Sequence, residues 1–330
     1  MGIKHMLKFL NTNYPHVVKN IKEDDLSGKL IAIDISILLY QVVILIRNSG
    51  ADMMNNQGDI TSHILGLFNK TINLLKMNII PVYVFDGKPP MFKKNIINNR
   101  REMKQKAYEK LEEDLNEEDK IKYFKRTVSI SKKQIDECME LLDLMGIPYI
   151  IAPEEADSQC AELVKCGLVD GVLTEDMDIM TFGATKIYRN LTSYKKNNIS
   201  ISMDDVLSAL YINYEQFVEL CILFGCDYCE KIKDIKPETV YEYYIKNKNI
   251  PDTLELIKKN GYKLPDISIN DYNMYKTYFM NPPITKINNI SLNKFDINKL
   301  EKLLVNKYGL VKIKIQQKLI FLDDYITKSL

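Results

Sequence analysis

The sequence predicts an α/β fold in which a mostly parallel central sheet is flanked by helices, and three observations carry that expectation. Short apolar runs rich in β-branched and aromatic residues recur at 29–34, 80–86, 148–151 and 170–174, the composition of strands buried on both faces. Amphipathic stretches of helical period separate them, so that strand and helix alternate. Each run also ends in carboxylates, which marks one edge of the sheet.

In order, residues 1–90 read as a helix, a strand at 29–34, a helix at 36–47, a loop at 48–59, a helix at 60–77 and a strand at 80–86. Gly87-Lys88-Pro89-Pro90 then stops the strand, because proline has no N–H to give a ladder. Residues 87–125 break the pattern, being highly charged and poor in core residues. Lys93, Lys94, Arg100, Arg101, Lys104, Lys106 and Lys110 precede the acidic runs Glu112-Glu113-Asp114 and Glu117-Glu118-Asp119. Such a segment is ordinarily a solvated helix. Here Lys93, Arg100 and Lys104 fall at i, i+7 and i+11, which puts a basic stripe beside a strand end and in a position to hold phosphates.

Alternation resumes with a helix at 131–145, its core stripe Ile135, Cys138, Leu141, Leu142 and Met145. Strand 148–151, helix 154–166, strand 170–174 and a strand near 186–189 follow. Residues 203–226 read as helical around Phe217, Leu220, Cys221, Leu223 and Phe224. The tail, 236–330, is helical and lysine-rich, with breaks at Pro251-Asp252, Pro265-Asp266 and Asn281-Pro282.

The acids carry the chemistry. Asp34 and Asp86 end the first two strands; Glu155 and Asp157 follow the third, Asp176 and Asp178 the fourth. Ligands of open α/β sheets bind outside the carboxyl ends of the strands. Like charges gathered there need cations to ionise together. An all-oxygen donor set suits Mg²⁺, with Mn²⁺ as a substitute. Metal-dependent hydrolysis of a phosphodiester is the simplest use of such a site.

Composition narrows the class. Net charge is only +1, from 45 basic and 44 acidic residues, and the base is concentrated away from the acid cluster. The 330 residues suffice for one large domain or two intimately connected ones. Six scattered cysteines and no secretory segment point to a reducing compartment. Cys226-Asp227-Tyr228-Cys229 lacks a second pair at zinc spacing. Three distant histidines give no support to histidine acid–base catalysis. No stretch is long and apolar enough to span a membrane.

These residues resemble the flap endonuclease family, the structure-specific 5′-nucleases that include the XPG proteins, from Met1 to about residue 235. The likeness lies in Met1-Gly2-Ile3, Ile31-Ala32-Ile33-Asp34, the string Pro81 to Pro90, Met145-Gly146-Ile147-Pro148-Tyr149, Ala152-Pro153-Glu154-Glu155-Ala156-Asp157, Thr174-Glu175-Asp176-Met177-Asp178, Thr181-Phe182-Gly183 and Cys221 to Cys229. The resemblance implies a PIN-like 5′-nuclease fold with two Mg²⁺ ions per site. It adds Asp227 to the six strand-end acids as a metal ligand. Asp157 stands where the family usually has Glu, and Glu154 is an extra acid beside the motif. The N-terminal nuclease region would be 1–105, and the helical arch 88–130 would overlap its end. An internal nuclease region at 126–255 would hold the duplex-binding module at about 216–250, and 256–330 would complete the same body.

By the same resemblance, Lys93 and Arg100 hold the scissile phosphate; Lys104, on the same face by helical spacing, is a further candidate DNA contact. Tyr40 stacks on a base, Arg47 and Thr61 receive a 3′ flap, and Lys70 replaces a template-strand arginine, losing its fork. Where the family has a Gly-Ile-Gly hairpin that binds K⁺ and a phosphate, this chain has Asp234-Ile235-Lys236, and Lys236 is placed to touch phosphate itself. The implied function is cleavage of flap or nicked duplex DNA at the flap base, with 5′–3′ exonuclease activity, in Okazaki-fragment processing and repair. A monomer in a nucleus or a viral replication compartment fits it. The end near Leu322–Ile326 offers a degenerate sliding-clamp peptide, with Leu319 in place of Gln. The alternatives are a 5′-exonuclease or junction resolvase of the same family, or a non-catalytic DNA-junction binder.

Overall fold

The computed structural model describes residues 3, 5–48, 50–191 and 197–329, with the backbone alone at 94–96. Met1 and Gly2 of the amino-terminal string lie outside the described residues. Seven strands run through the described residues: β1 (Val18–Asn20), β2 (Leu30–Asp34), β3 (Ile80–Phe85), β4 (Tyr149–Ile151), β5 (Gly171–Leu173), β6 (Lys186–Arg189) and β7 (Ile199–Ser202). The chain divides into two compact units, each assembled from three stretches of sequence.

One unit comprises Leu26–Phe85, Ile97–Ile151 and Asn288–Leu330. Its strands lie in the order β2-β3-β4 and are parallel throughout, with Ala32 opposite Val82 and Val84 opposite Ile150. Ile31, Ala32, Ile33, Val82, Tyr83, Val84 and Phe85 are all buried, as runs without alternation require. Helix Ser62–Lys76 packs on helix Lys132–Met145 and on the terminal helix Lys312–Ser329. Ser131 and Gln134 form a capping box at the start of the second, and Gly146 ends it at φ 69°. The terminal helix buries Ile315, Leu319, Leu322 and Ile326, a stripe at i, i+4, i+7 and i+11.

The segment expected to form an arch contains two helices, Lys94–Leu111 and Glu117–Arg126. Asn116 caps the second by accepting from the Asp119 N–H at 2.8 Å. Arg47, at the end of helix Ile35–Arg47, binds this second helix. Its guanidinium donates to the Phe124 carbonyl at 2.9 Å and to Thr127 Oγ1 at 3.0 Å, and lies 4.2 Å from the Phe124 ring centre.

The other unit comprises Met1–Asp25, Asp86–Ile96 and Ala152–Ile287. Its strands lie in the order β1-β7-β6-β5. β5 and β6 are parallel, while β6–β7 and β7–β1 are antiparallel. The fold is therefore α/β with mixed strand pairing. Of the two strands that the apolar runs did not announce, β1 is three residues long with a single apolar residue, and β7 is short and alternates apolar with polar residues. Residues 203–226 form two helices, Met203–Leu210 and Tyr214–Phe224. Tyr211 at φ 53° and an Asn213–Gln216 capping box divide them. Phe9 of helix Met6–Asn13 meets Phe224 edge-on at 5.3 Å. Helices Pro237–Asn247, Ile250–Lys259 and Ile269–Met280 complete the unit. No single helix among the described residues is long and apolar enough to cross a membrane.

Candidate metal centre

Six of the seven expected acids belong to this second unit, and local geometry fixes each of them. Asp86 leaves the end of β3, and its Oδ1 accepts from the Ala156 N–H at 2.9 Å, at the start of helix Ala156–Lys165. Gly87 makes that approach possible: a Cβ there would stand 2.2 Å from the Ala152 carbonyl oxygen. Its N–H donates to the Glu154 carbonyl at 2.6 Å. Glu155, the residue before that helix, is buried, and Asp157 is half-buried in its first turn.

After β5 the chain folds tightly on itself. The Asp176 N–H donates to Thr174 Oγ1 at 2.9 Å, and the Asp178 N–H donates to Asp176 Oδ1 at 3.0 Å. Both carboxylates are buried. Asp178 Oδ1 is a buried oxygen without a hydrogen-bond partner. Asp227 reaches the unit by another route, from the turn that ends helix Tyr214–Phe224. Gly225 turns at φ 92°, and a Cβ there would meet Lys231 Cα at 2.7 Å.

The electrostatics follow from this crowding. Burial pushes the Asp178 carboxyl well above the ordinary range, and Asp176 and Asp227 push the same way. Asp176 is raised as well, chiefly by burial. Lys93 answers part of the charge: its ammonium donates to Glu155 Oε1. Burial alone would lower the Lys93 pKa, but Glu155, backed by Asp157 and Asp227, raises it on balance. Arg189 lies beside the same loop, donating to the Glu175 carbonyl at 2.7 Å.

Among the described residues no three His, Cys, Asp or Glu side chains are gathered closely enough to hold an ion as they stand. The donor chemistry nevertheless fits a hard divalent cation. The acids supply only oxygens, the buried and unpartnered Asp178 Oδ1 among them, and an ammonium stands on Glu155 where a cation would also relieve the charge.

The seventh acid, Asp34, belongs to the first-described unit. There it ends β2 and caps helix Ile35–Arg47, its Oδ1 accepting from the Ser36 N–H at 2.7 Å. Arg100 is exposed on helix Lys94–Leu111, and Lys104 of that helix lies 5.8 Å from the Tyr108 ring centre. Tyr40 is 41% exposed. Thr61 is buried, its hydroxyl on the Met53 carbonyl at 3.4 Å. Lys70 is half-buried on helix Ser62–Lys76.

Arg47, expected to face a 3′ flap, is instead buried and engaged internally, with Asp52 closing a two-pronged ion pair at 2.8 and 2.9 Å. Asp234 holds a left-handed φ of 58°, and Lys236 is exposed at the N-cap of helix Pro237–Asn247. Leu322 and Ile326 of the clamp-like segment are fully buried, and the Tyr325 hydroxyl donates to Asn78 Oδ1 at 3.1 Å.

Tyr228 escaped the sequence reading. Its hydroxyl donates to Glu155 Oε2, opposite Lys93. The signal was its place beside Asp227 in a short turn, which the search for acids passed over.

Residues 1–107 match the XPG N-terminal domain and residues 146–227 the XPG I-region, which makes the chain an XPG-type nuclease. Flap endonuclease 1 of Heterostelium pallidum is 38% identical over 98% of this chain and 86% of its own length. That of Entamoeba histolytica is 41% identical over 93% and 83%. Among solved structures, flap endonuclease-1 from Methanococcus jannaschii superposes with a TM-score of 0.75 at 33% identity, covering 95% of this chain and 97% of its own. The catalytic core of Rad2 in complex with DNA substrate follows at 0.74 and 26%, covering 97% and 100%. The chain belongs to the flap endonuclease family. Nucleases of this family are metal-dependent in general.

Proposed function

We propose that the protein hydrolyses one phosphodiester at the base of a 5′ flap in DNA, leaving a 5′-phosphate and a 3′-hydroxyl, in replication and repair. The observation that carries the mechanism is the acid set, in which Glu155, Asp176 and Asp178 are buried and Lys93 is seated on Glu155. Asp86, Glu155, Asp157, Asp176, Asp178 and Asp227 would hold two Mg²⁺ ions, with Asp34 assigned to the same role on sequence grounds. When bound, those ions supply water activation and relief of charge on the leaving oxygen.

The chain's own part is electrostatic. Asp178 and Asp176 are driven toward protonation by burial, so their anionic form belongs to the cation-loaded state. Lys93 exchanges Glu155 for the scissile phosphate, and Arg100, exposed on its helix, neutralises the same group. Tyr40, Lys70, Lys104 and Lys236 would contact DNA around the cut. Helices Lys94–Leu111 and Glu117–Arg126 would form the arch that admits a single-stranded 5′ end.

The protein would act as a monomer in the nucleus or a viral replication compartment. Docking on a sliding clamp through Leu322–Ile326 would require the terminal helix to leave its seat, because both residues are buried.

Cleavage of a labelled double-flap DNA in Mg²⁺, mapped to the nucleotide beside Asp178→Ala, tests this reading. One cut at the flap base, absent in the variant, is the expected result. Stepwise release of mononucleotides would make it an exonuclease, and binding without cutting a junction-binding protein.

A further inference from the structure

Glu155 is gripped from two directions. Lys93 Nζ donates to Oε1, and the Tyr228 hydroxyl donates to Oε2. The same ammonium lies 5.7 Å from the centre of the Tyr228 ring. One tyrosine thus touches a metal-binding carboxylate with its hydroxyl and a phosphate-binding cation with its ring. We propose that Tyr228 is a positioning residue that sets Glu155 for the divalent cation and retains Lys93 when the cation displaces it, an inference that rests on the nuclease reading above.

Tyr228 is itself held in place. Phe92, the chain neighbour of Lys93, meets its ring at 4.8 Å. Phe279 lies at 5.0 Å, Tyr278 at 5.6 Å and Tyr275 at 6.2 Å, all three from helix Ile269–Met280. A ring packed on several sides by aromatic neighbours has little freedom to turn. Phenylalanine would satisfy that packing equally well. A phenol in such surroundings costs free energy unless its hydroxyl is bonded, and here the bond falls on the carboxylate.

The neighbouring acid shows the same device: the Tyr278 hydroxyl donates to Glu154 Oε2 at 2.8 Å. An O–H donor on one carboxylate oxygen decides which lone pairs of the other face an incoming ion. This is the work of groups that orient metal ligands from behind. Once an ion takes Oε1, the ammonium must let go, and the ring face keeps it close to where the phosphate arrives. No bond to carbon or phosphorus changes in this exchange, and no proton leaves the tyrosine.

The test uses the full chain with Tyr228→Phe and Tyr228→Leu. Mn²⁺ affinity without DNA is read from the paramagnetic resonance of the free ion. Tyr228→Phe should weaken it about tenfold, with a thermal midpoint close to that of the unaltered protein. Tyr228→Leu should lose further kcat on flap DNA, and that extra loss should vanish when Lys93→Ala is already present. A Tyr228→Phe protein that binds Mn²⁺ as the unaltered one does would reduce the hydroxyl to packing and overturn the proposal. So would a Leu variant no slower than Phe. An unaltered protein that binds Mn²⁺ yet cuts no flap would sink the nuclease reading instead, and the Mn²⁺ comparison would still decide the role of Tyr228.

Discussion

Lys93 and Glu155 form an ion pair inside the acid set, so the residue expected to serve the substrate occupies a carboxylate proposed to bind the metal. Removing it should act in opposite directions on two measurements. Lys93→Ala should bind Mn²⁺ more tightly in the absence of DNA, because nothing then competes for Glu155. It should also cut flap DNA about 10²–10³-fold more slowly, the usual loss when one preorganised charge donor is removed. Titration with Mn²⁺ and single-turnover cleavage read the two effects. Unchanged metal affinity would show that the pair offers the ion no competition.

Arg47 and Asp52 are both buried, with side-chain exposures of 11% and 6%. Arg47→Ala leaves Asp52 without its partner and strips the Phe124 carbonyl and Thr127 of a donor. A loss of about 3–5 kcal/mol in unfolding free energy is expected by urea titration. Arg47→Lys should recover only part of it, since lysine lacks the fork. Lys120→Ala, an exposed pair on helix Glu117–Arg126, should stay within about 0.5 kcal/mol.

His63 supplies a pH dependence. It is fully buried on helix Ser62–Lys76, bonded through Nε2 to Glu137 Oε2 at 2.9 Å and facing Gln134, Lys133, Lys307 and the Tyr308 ring. Burial lowers its pKa, and Glu137 only partly restores it. A depressed pKa means that the unfolded chain takes up the proton first. The stability His63 contributes is whole above about pH 6.5 and is lost as pH falls through the folded value. The thermal midpoint should drop between pH 7 and pH 5, and His63→Gln should flatten that slope. An equal slope in both proteins would remove His63 as its source.

Leu322 and Ile326 should behave as core residues. Each change to Ala should cost about 2–5 kcal/mol, and a soluble sliding clamp should not raise the thermal midpoint of the unaltered protein. Stabilisation by the clamp would show that the terminal helix does exchange partners.

The strands were legible because burial on both faces writes an uninterrupted apolar run, and the same runs located six acids at their ends, whose role as metal ligands is proposed above. Asp227 was not legible from that pattern, since a glycine turn after a helix delivers it rather than a strand. β1 and β7 were missed because three or four residues half or more of which are polar look like loop. The division of 203–226 depends on Tyr211 adopting a left-handed conformation that no propensity favours. Arg47 shows the other limit: matching a position to a family gave it a ligand, while its neighbours Asp52 and Phe124 gave it a place in the interior.

Helix Ile269–Met280 lies beyond residue 227, where the matched XPG regions end, yet three of its side chains pack around Tyr228. A protein shortened to residue 255 would keep all seven acids and every shared string while losing the floor beneath Glu155. The smallest fragment that cuts DNA should therefore be longer than the smallest fragment that can be recognised.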